Sequence, residues 1–453
     1  MKSRRTFLKS AAMAGGAAIS VPFESLWRNV RGHALLAADG YGPLKPVADE
    51  TTGLPLIELP DQFRYLTFGW IGDRMEGGRR TPGSHDGMAA FASSDGLVAL
   101  IRNHELNPGP AFDPARAYDR MAGGGTTTVW FDPKAGKFVR AATSLSGTLR
   151  NCAGGPTPWG SWLSCEETTL GVDDNLSLTR NHGYVFEVPV NGTASAEPLK
   201  AMGRFVHEAA AVDDETGVVY QTEDQLRAGL YRFVPKSRGR LQDGGTLEML
   251  AIDGRPKFDT RTGQESGTKY AIRWVAIEDP GKPHFDAGQK DNAGVFMQGL
   301  DRGGAIFGRL EGACCSSGNV YITATNGGNA RTGQVWELDI REQSIRLLFE
   351  SPGSHVLNMP DNVTMSPRGG LVLCEDNRKG NPCVHGVTRE GHLIRLVRNA
   401  VQLRGERNGI SGDFRDREFA GATFSPDGRW LFLNMQSPGL TLAITGPWGS
   451  GIL

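Results

Sequence analysis

The feature that most constrains the fold of this chain is a pattern that occurs six times. Each copy has a glycine turn, an apolar strand, and polar or acidic residues where the strand ends. The copies are DGLVALIRNHE (95–105), WGSWLSCEE (159–167), TGVVYQTED (216–224), SGNVYITATN (317–326), RGGLVLCEDN (368–377) and DGRWLFLNMQ (427–436). A second strand, such as TTTVWFD or GYVFEV, follows each copy after a loop. Most copies are separated by roughly 50 to 65 residues, a spacing typical of β-propeller blades.

We therefore predict an all-β, six-bladed β-propeller that occupies residues 39–453 as a single domain. The 61 glycines of the whole chain fit a protein of turns and short strands. The repeat is interrupted at about 255–289, which we interpret as an insertion rich in Gly, Pro and charge. The last strand, which begins near Leu440, is predicted to pair with a segment from the N-terminal end. This pairing would close the ring and remove exposed sheet edges. An ordinary β-rich protein with repeated hairpins is the alternative.

The first residues have the pattern of a twin-arginine signal peptide, which we assign to residues 1–38. Arg4 and Arg5 precede an alanine-rich run that is too short and too weakly apolar to span a membrane. This predicts the twin-arginine export machinery as a partner, a periplasmic or secreted location in a bacterium, and no stable membrane insertion. A cytoplasmic protein with a chance Arg-Arg pair is the alternative. The net charge of −1 argues against nucleic acid as a partner.

The acidic strand ends predict a metal site at the mouth of the central channel. The innermost strands of a propeller border its channel, so equivalent positions of different blades converge there. Buried carboxylates repel one another unless cations offset their charge. The candidate ligands are Cys152, Glu105, Glu166, Glu167, Glu208, Glu223, Glu311, Asp361 and Glu375, with Glu418 as a further candidate.

The donor types indicate a mixed site. Carboxylate oxygens suit Ca²⁺, whereas a single thiolate from Cys152 favours a transition metal such as iron. Each motif alone has a simpler interpretation, because a strand-end acid is usually solvated and an isolated cysteine usually packs as a small apolar residue. His207 has two equally favoured roles, as a metal ligand or as a residue that orients another ligand.

Arg309 precedes Glu311 by two residues, so both side chains lie on the same side of a strand. A guanidinium beside a metal-bound carboxylate could bind phosphate oxygens in bidentate fashion. We predict that Arg309 and Glu311 are catalytic. From the spacing alone, a surface arginine in a salt bridge is an equal alternative.

Several of these motifs resemble the PhoX family of secreted alkaline phosphatases over residues 103–448. The motifs are NCAGGPTPWGSWLSCEE (151–167), HEAAAVDDETGVVYQTED (207–224), GLYRFVP (229–235), RLEGACC (309–315), LVLCEDN (371–377) and EFAGATFSPDGRWLFLNMQSPG (418–439). The resemblance implies a six-bladed propeller with Fe³⁺ and Ca²⁺ at its mouth that hydrolyses phosphate monoesters, with diesters as a further class.

The resemblance also implies roles for individual residues. It makes Cys152 the thiolate ligand of iron and Arg309 the arginine that holds the phosphoryl group. The carboxylate ligands that it implies are Glu166, Glu208, Glu223, Glu311 and Glu375. The chain departs from the family at Thr168, where an Asn that touches substrate is expected, and at 141–149, where an expected lysine is lacking.

The leading hypothesis is therefore a metal-dependent phosphatase that hydrolyses a small phosphoester by attack of a water or oxide that the metals activate. The sequence has neither a GxSxG motif nor a P-loop. Two alternatives remain. One is a calcium-dependent propeller hydrolase of lactones or phosphotriesters, which needs no thiolate. The other is a non-catalytic periplasmic propeller that binds a ligand or partner and uses Ca²⁺ for stability alone.

Overall fold

A computed structural model describes residues 40–174, 176–286, 288–377, 380–388, 392–449 and 453. The predicted signal peptide, 1–38, lies outside the described residues. Among the described residues, no helix has the length and apolar character needed to cross a membrane.

The structure consists mainly of short β-strands. The N-terminal strands are β1 (Lys45–Val47), β2 (Ile57–Leu59) and β3 (Arg64–Phe68). The next seven are β4 (His85–Ala92), β5 (Val98–His104), β6 (Gly124–Asp132), β7 (Lys137–Thr148), β8 (Asn151–Pro156), β9 (Ser161–Glu166) and β10 (Val185–Pro189). They are followed by β11 (His207–Val212), β12 (Val219–Glu223), β13 (Tyr231–Pro235), β14 (Gly245–Ile252) and β15 (Lys269–Ala276).

The C-terminal half continues in the same way. Its strands are β16 (Leu310–Ser316), β17 (Asn319–Ala324), β18 (Gln334–Asp339), β19 (Ser344–Glu350), β20 (Pro360–Met365), β21 (Leu371–Glu375), β22 (Cys383–Val387), β23 (Leu393–Asn399), β24 (Gln402–Arg404), β25 (Ser411–Asp413), β26 (Phe419–Phe424), β27 (Leu431–Met435) and β28 (Leu440–Thr445). Helix α1 spans Gly294–Asp301, and short 3₁₀ turns lie at Glu76–Gly78, Val172–Asp174, Lys200–Met202 and Leu241–Asp243.

Consecutive strands pair antiparallel into sheets, in the orders β4-β5-β6-β7, β8-β9-β10 and β20-β21-β22-β23. Strands β1 and β2 extend the last of these at the edge of β23. Strand β15 lies in the region predicted as an insertion. It pairs with β14 on one side and β19 on the other, which joins β11–β14 and β16–β19 into one nine-stranded sheet. Helix α1 follows β15 and packs against β14.

The first strands of successive sheets form a ring. Strands β4, β8, β11, β16, β20 and β26 each contact the next, and β26 contacts β4. β3 pairs with β28, with Phe68 opposite Thr441, and so completes the sheet that begins at β26. This confirms the predicted closure by an N-terminal segment. The fold is all-β and propeller-like. Because β15 fuses two sheets, hydrogen bonding alone does not divide the structure into six separate blades.

Each of the six strands in this ring contains a β-bulge, where two residues oppose one on the neighbouring strand. Bulges redirect side chains and are frequent beside active sites. The first bulged residues of five of these strands are Asp86, Cys152, Glu208, Glu311 and Asp361. In five of the six ring strands, the bulge therefore places an acidic or thiol side chain at the equivalent strand position.

Small residues let the ring strands approach closely. A Cβ on Gly155 of β8 would lie 1.5 Å from the carbonyl oxygen of Ala210 in β11. A Cβ on Gly87 would lie 2.6 Å from Ala153 Cα. The alanine- and glycine-rich channel that remains has a volume of about 220 Å³. Apolar side chains fill the space between the sheets, with Trp336 among the fully buried ones.

Candidate metal centre

Five of the predicted ligands lie together at one end of the ring. Cys152, Glu167 and Glu208 offer ligand atoms within 4.8 Å of one another, and so do Glu208, Glu311 and Asp361. Glu208 is common to both groups. Its Oε1 accepts a hydrogen bond from Cys152 Sγ at 3.0 Å. The two groups thus form one continuous cluster with a single thiol, which we call the central cluster.

Burial and mutual repulsion dominate the electrostatics of the central cluster. Burial raises the pKa of Glu208 well above its ordinary value, and Asp361, Glu167 and Asp86 raise it further. Burial and Asp376 raise the pKa of Asp361 to about 7. Burial also raises the pKa of the Cys152 thiol, with added repulsion from Asp86 and Glu208.

These groups fit metal ions. The carboxyl and thiol groups of a buried site cannot all be ionised at the same time unless cations balance their charge. Glu208 Oε2 is buried and has no hydrogen-bond partner among the described residues. Carboxylate oxygens with one soft thiolate form a donor set that suits a hard cation beside a transition metal.

Glu105 lies at the edge of the central cluster. It is close enough to Asp86 to raise the pKa of that buried carboxyl. It accepts a hydrogen bond from Gln436 at 2.7 Å, and its Oε1 lies 3.4 Å from Arg150 Nε. Burial raises the pKa of Glu418 nearby, as does a hydrogen bond with Asp376.

The structure does not bring Glu166 into the central cluster. Its carboxylate is fully buried and accepts hydrogen bonds from the backbone N–H groups of Leu149 (2.8 Å), Gly183 (2.7 Å) and Tyr184 (3.1 Å). The ring of His182 lies 2.6 Å from the same carboxylate. Both oxygens are therefore engaged by the protein, whereas the next residue, Glu167, faces the central cluster.

The carboxylate of Glu223 also lies outside the central cluster and is hydrogen-bonded by the protein. Its Oε2 accepts hydrogen bonds from the Gly229 N–H and the Tyr231 hydroxyl, both at 2.8 Å. Burial raises the pKa of Glu223 to about 8. The next residue, Asp224, bonds to Arg309 Nε at 2.9 Å. Successive side chains of a strand point to opposite faces, so only the second acid of each pair faces the channel mouth.

Glu375 is the third predicted ligand outside the central cluster. It accepts hydrogen bonds from the Asn358 N–H at 2.8 Å and the Cys383 N–H at 2.9 Å, and it lies 3.0 Å from His385 Nε2. Glu375, Cys383 and His385 have ligand atoms within 4.8 Å of one another. The same arrangement of a strand-end Glu, backbone N–H groups and a histidine occurs at Glu166, which indicates a repeated structural connection.

Arg309 faces the central cluster, as its spacing from Glu311 predicted. It forms ion pairs with Glu311 and with Asp376, the latter at 3.7 Å, in addition to Asp224. Its side chain is 24% exposed, so the guanidinium can be reached from the channel mouth. Its φ of +42° is in the left-handed region, which a non-glycine residue occupies at some cost.

A second arginine at the edge of the central cluster was not among the predicted site residues. Arg150 precedes Cys152 by two residues, as Arg309 precedes Glu311, and its φ is also left-handed at +48°. Its Nη2 lies 2.8 Å from Glu167 and its Nε 3.4 Å from Glu105. The shared two-residue offset was the signal that could have identified it. Asp86, Asp224 and Asp376 were also omitted from the predicted ligands.

A cavity of about 980 Å³ lies beside Arg309 and Asp376. Thr168, where the family has an Asn, is buried, and its hydroxyl accepts a hydrogen bond from the Leu170 N–H at 3.2 Å. The site therefore combines a buried acidic cluster, two arginines at its edge and an open cavity next to one of them.

The family of this chain follows from its match to a family model. The model of the family described as alkaline phosphatase PhoX matches residues 39–144 and 133–439. The chain belongs to the PhoX family. As a PhoX family member it is a metal-dependent phosphatase, a phosphoric ester hydrolase, which confirms the activity predicted from the sequence motifs.

One solved structure with a TM-score above 0.5 supports the fold. PhoX of Pseudomonas fluorescens, in complex with vanadate as a transition-state analogue, is 17% identical, with a TM-score of 0.65. The match covers 91% of this chain and 98% of that one. A gluconolactonase from Xanthomonas campestris is 12% identical over 90% of this chain and 98% of its own, with a TM-score of 0.44. No curated protein matches the chain.

Proposed function

We propose that the central cluster holds the metals of this PhoX family member and that phosphate monoesters, and also diesters, are hydrolysed there. The observation that carries the proposal is the pair of ligand groups that share Glu208, with Arg309 at their edge. Fe³⁺ would be held by the group that contains Cys152 and Glu167, because the thiolate is its one soft donor. Ca²⁺ would be held by the oxygen donors Glu311 and Asp361.

When bound, the metals would neutralise phosphate oxygens and supply an activated water for attack on phosphorus. Arg309 would bind the phosphoryl oxygens opposite the cluster and balance their charge in the transition state. Its three carboxylate partners hold the guanidinium in one orientation. Arg150 would act from the other side, where it also neutralises Glu105 and Glu167.

Glu418 is a candidate to donate a proton to the departing alcohol. Burial and the hydrogen bond with Asp376 raise the pKa of Glu418 well above its ordinary value. Asp376 also lines the large cavity beside Arg309. The Glu418–Asp376 pair would thus hold a proton close to where the organic part of the ester leaves.

We extend the proposal to the whole molecule. The ring of strands β4, β8, β11, β16, β20 and β26 supports six blades, each contributing one strand to the channel. The Arg4-Arg5 pair supports export by the twin-arginine machinery and a periplasmic or secreted location, with residues 39–453 as the mature domain.

The test uses the full-length protein purified with its metals. We expect hydrolysis of p-nitrophenyl phosphate, loss of activity on chelation, and iron together with calcium in elemental analysis. Activity that survives both chelation and loss of Cys152 would contradict the proposal. Calcium without iron would instead favour a calcium-dependent propeller hydrolase, which a lactone or phosphotriester assay would detect.

A further inference from the structure

The cavity of about 980 Å³ beside Arg309 is separate from the central cluster, although the two meet at Arg309 and Asp376. Its remaining wall comes from β22, β23 and the loops around them, including Asn358, Asn377 and Asn381. A volume of this size accommodates a small organic molecule. An ester whose phosphoryl group contacts Arg309 would therefore extend its organic part into this cavity.

The cavity wall has positive charge that the described residues do not neutralise. Arg395 is exposed, and its Nη2 donates to the carbonyl oxygen of His355 at 3.2 Å. Within the described part of the chain, Arg395 forms no ion pair with a carboxylate. Arg398 pairs with Glu58 at 2.6 Å, and its Nε is buried without a hydrogen-bond partner. By contrast, Arg309 already has three carboxylate partners.

Two other residues of the wall also have buried polar atoms without partners among the described residues, Oδ1 of Asn377 and Nδ1 of His385. Such groups are costly in a folded protein and are frequent where a ligand completes their hydrogen bonds. Glu375, the one further carboxylate of the wall besides Asp376, accepts hydrogen bonds from two backbone N–H groups and Asn377 and lies within hydrogen-bond distance of His385. Its carboxylate oxygens are therefore engaged by neighbouring groups of the wall.

We propose that this cavity binds the organic part of the substrate and selects phosphoesters that have a second anionic group, a carboxylate, which Arg395 recognises. The inference rests on the proposed phosphatase function and adds a substrate class to it. Arg395 is the specificity residue because no carboxylate among the described residues pairs with it. The amide side chains of the wall would position the chain of atoms between carboxylate and phosphate.

The test compares two esters that differ in one group, 3-phosphoglycerate and glycerol 3-phosphate, on the metal-loaded protein. We expect a higher kcat/KM for 3-phosphoglycerate. Arg395→Gln should lower the ratio of the two kcat/KM values about tenfold, the effect of one charge-assisted hydrogen bond. Arg395→Lys should retain most of the preference. Arg341→Gln, which removes an exposed arginine outside the cavity, should leave the ratio unchanged.

A binding measurement separates this inference from the proposed function. The calorimetric Kd values of 3-phosphonopropionate and propylphosphonate, which are not hydrolysed, should differ in the same direction and lose that difference in Arg395→Gln. If the protein hydrolyses p-nitrophenyl phosphate but shows no preference for the carboxylated ester or phosphonate, the cavity inference is wrong and the phosphatase function stands. If no ester is hydrolysed, the proposed function fails, and the phosphonate pair alone decides whether Arg395 recognises a carboxylate.

Discussion

Two consecutive glutamates at the end of β9 have opposite surroundings. Glu166 accepts hydrogen bonds from three backbone N–H groups, whereas Glu167 faces Cys152 and Glu208. The same division occurs at Glu223 and Asp224, where the first acid bonds to Tyr231 and the second to Arg309. One acid of each pair therefore stabilises the sheet, and the other contributes to the site.

Glu167→Gln and Glu166→Gln should separate these roles. We expect Glu167→Gln to lower the metal content and reduce kcat/KM about 10²-fold, because a ligand charge is lost. Glu166→Gln should keep the metal stoichiometry and lower the free energy of unfolding by about 1–3 kcal/mol, because buried hydrogen bonds are weakened. Elemental analysis and denaturant titration measure the two effects. Equal metal loss in both variants would contradict this division.

Cys152 and Cys165 provide a second matched pair. Cys165 is fully buried in an apolar cluster, whereas Cys152 Sγ contacts Glu208. Cys152→Ser should remove iron and lower kcat about 10²-fold or more, since the soft ligand is lost. Cys165→Ala should retain the iron and lose stability through the cavity left behind. Iron that persists in Cys152→Ser would exclude the thiolate as its ligand.

At the scale of elements, the sequence predicted the strands and their acidic ends, but not which acid faces the channel. The glycine turns and apolar runs identified β9, β12 and β21 because their alternation is a local property. A shift of one residue reverses the face of every side chain, and no local signal sets that register. The bulges in the six ring strands were also not predictable, because they arise from contacts between strands far apart in sequence.

The close approach of β8 to β11 predicts a large effect from one added methyl group. Gly155→Ala should lower the free energy of unfolding by about 2–4 kcal/mol, because its Cβ would overlap the Ala210 carbonyl oxygen and force the strands apart. Gly281→Ala is the control, since its nearest atom is an Asp279 side-chain oxygen at 3.5 Å. Thermal and denaturant unfolding measure both variants. A Gly155→Ala protein as stable as the control would show that the ring strands have room to relax.

At the scale of the whole molecule, the central cluster makes stability depend on pH and on metals together. The folded metal-free protein keeps a proton on Asp361 up to about pH 7, whereas the unfolded chain releases it at a lower pH. The metal-free protein should therefore lose stability as the pH rises through this window. Metals displace the proton, so their binding should strengthen as the pH rises.

We expect the Tm difference between metal-loaded and chelated protein to be larger at about pH 8 than at about pH 6. Differential scanning calorimetry of both forms measures it. Asp361→Asn, which cannot titrate, should reduce the pH dependence of the chelated form. A Tm difference that increases towards acid pH would show that the buried carboxyls are ionised without metal.

The pairing of β3 with β28 has a consequence for biogenesis. Strand β3, which completes the last sheet, precedes β28 by most of the length of the propeller, because Phe68 pairs with Thr441. A nascent polypeptide therefore cannot form this pairing before β28 has been synthesised. Because Glu208 and Glu311 belong to one cluster, we expect complete metal loading only after both halves of the cluster have been synthesised.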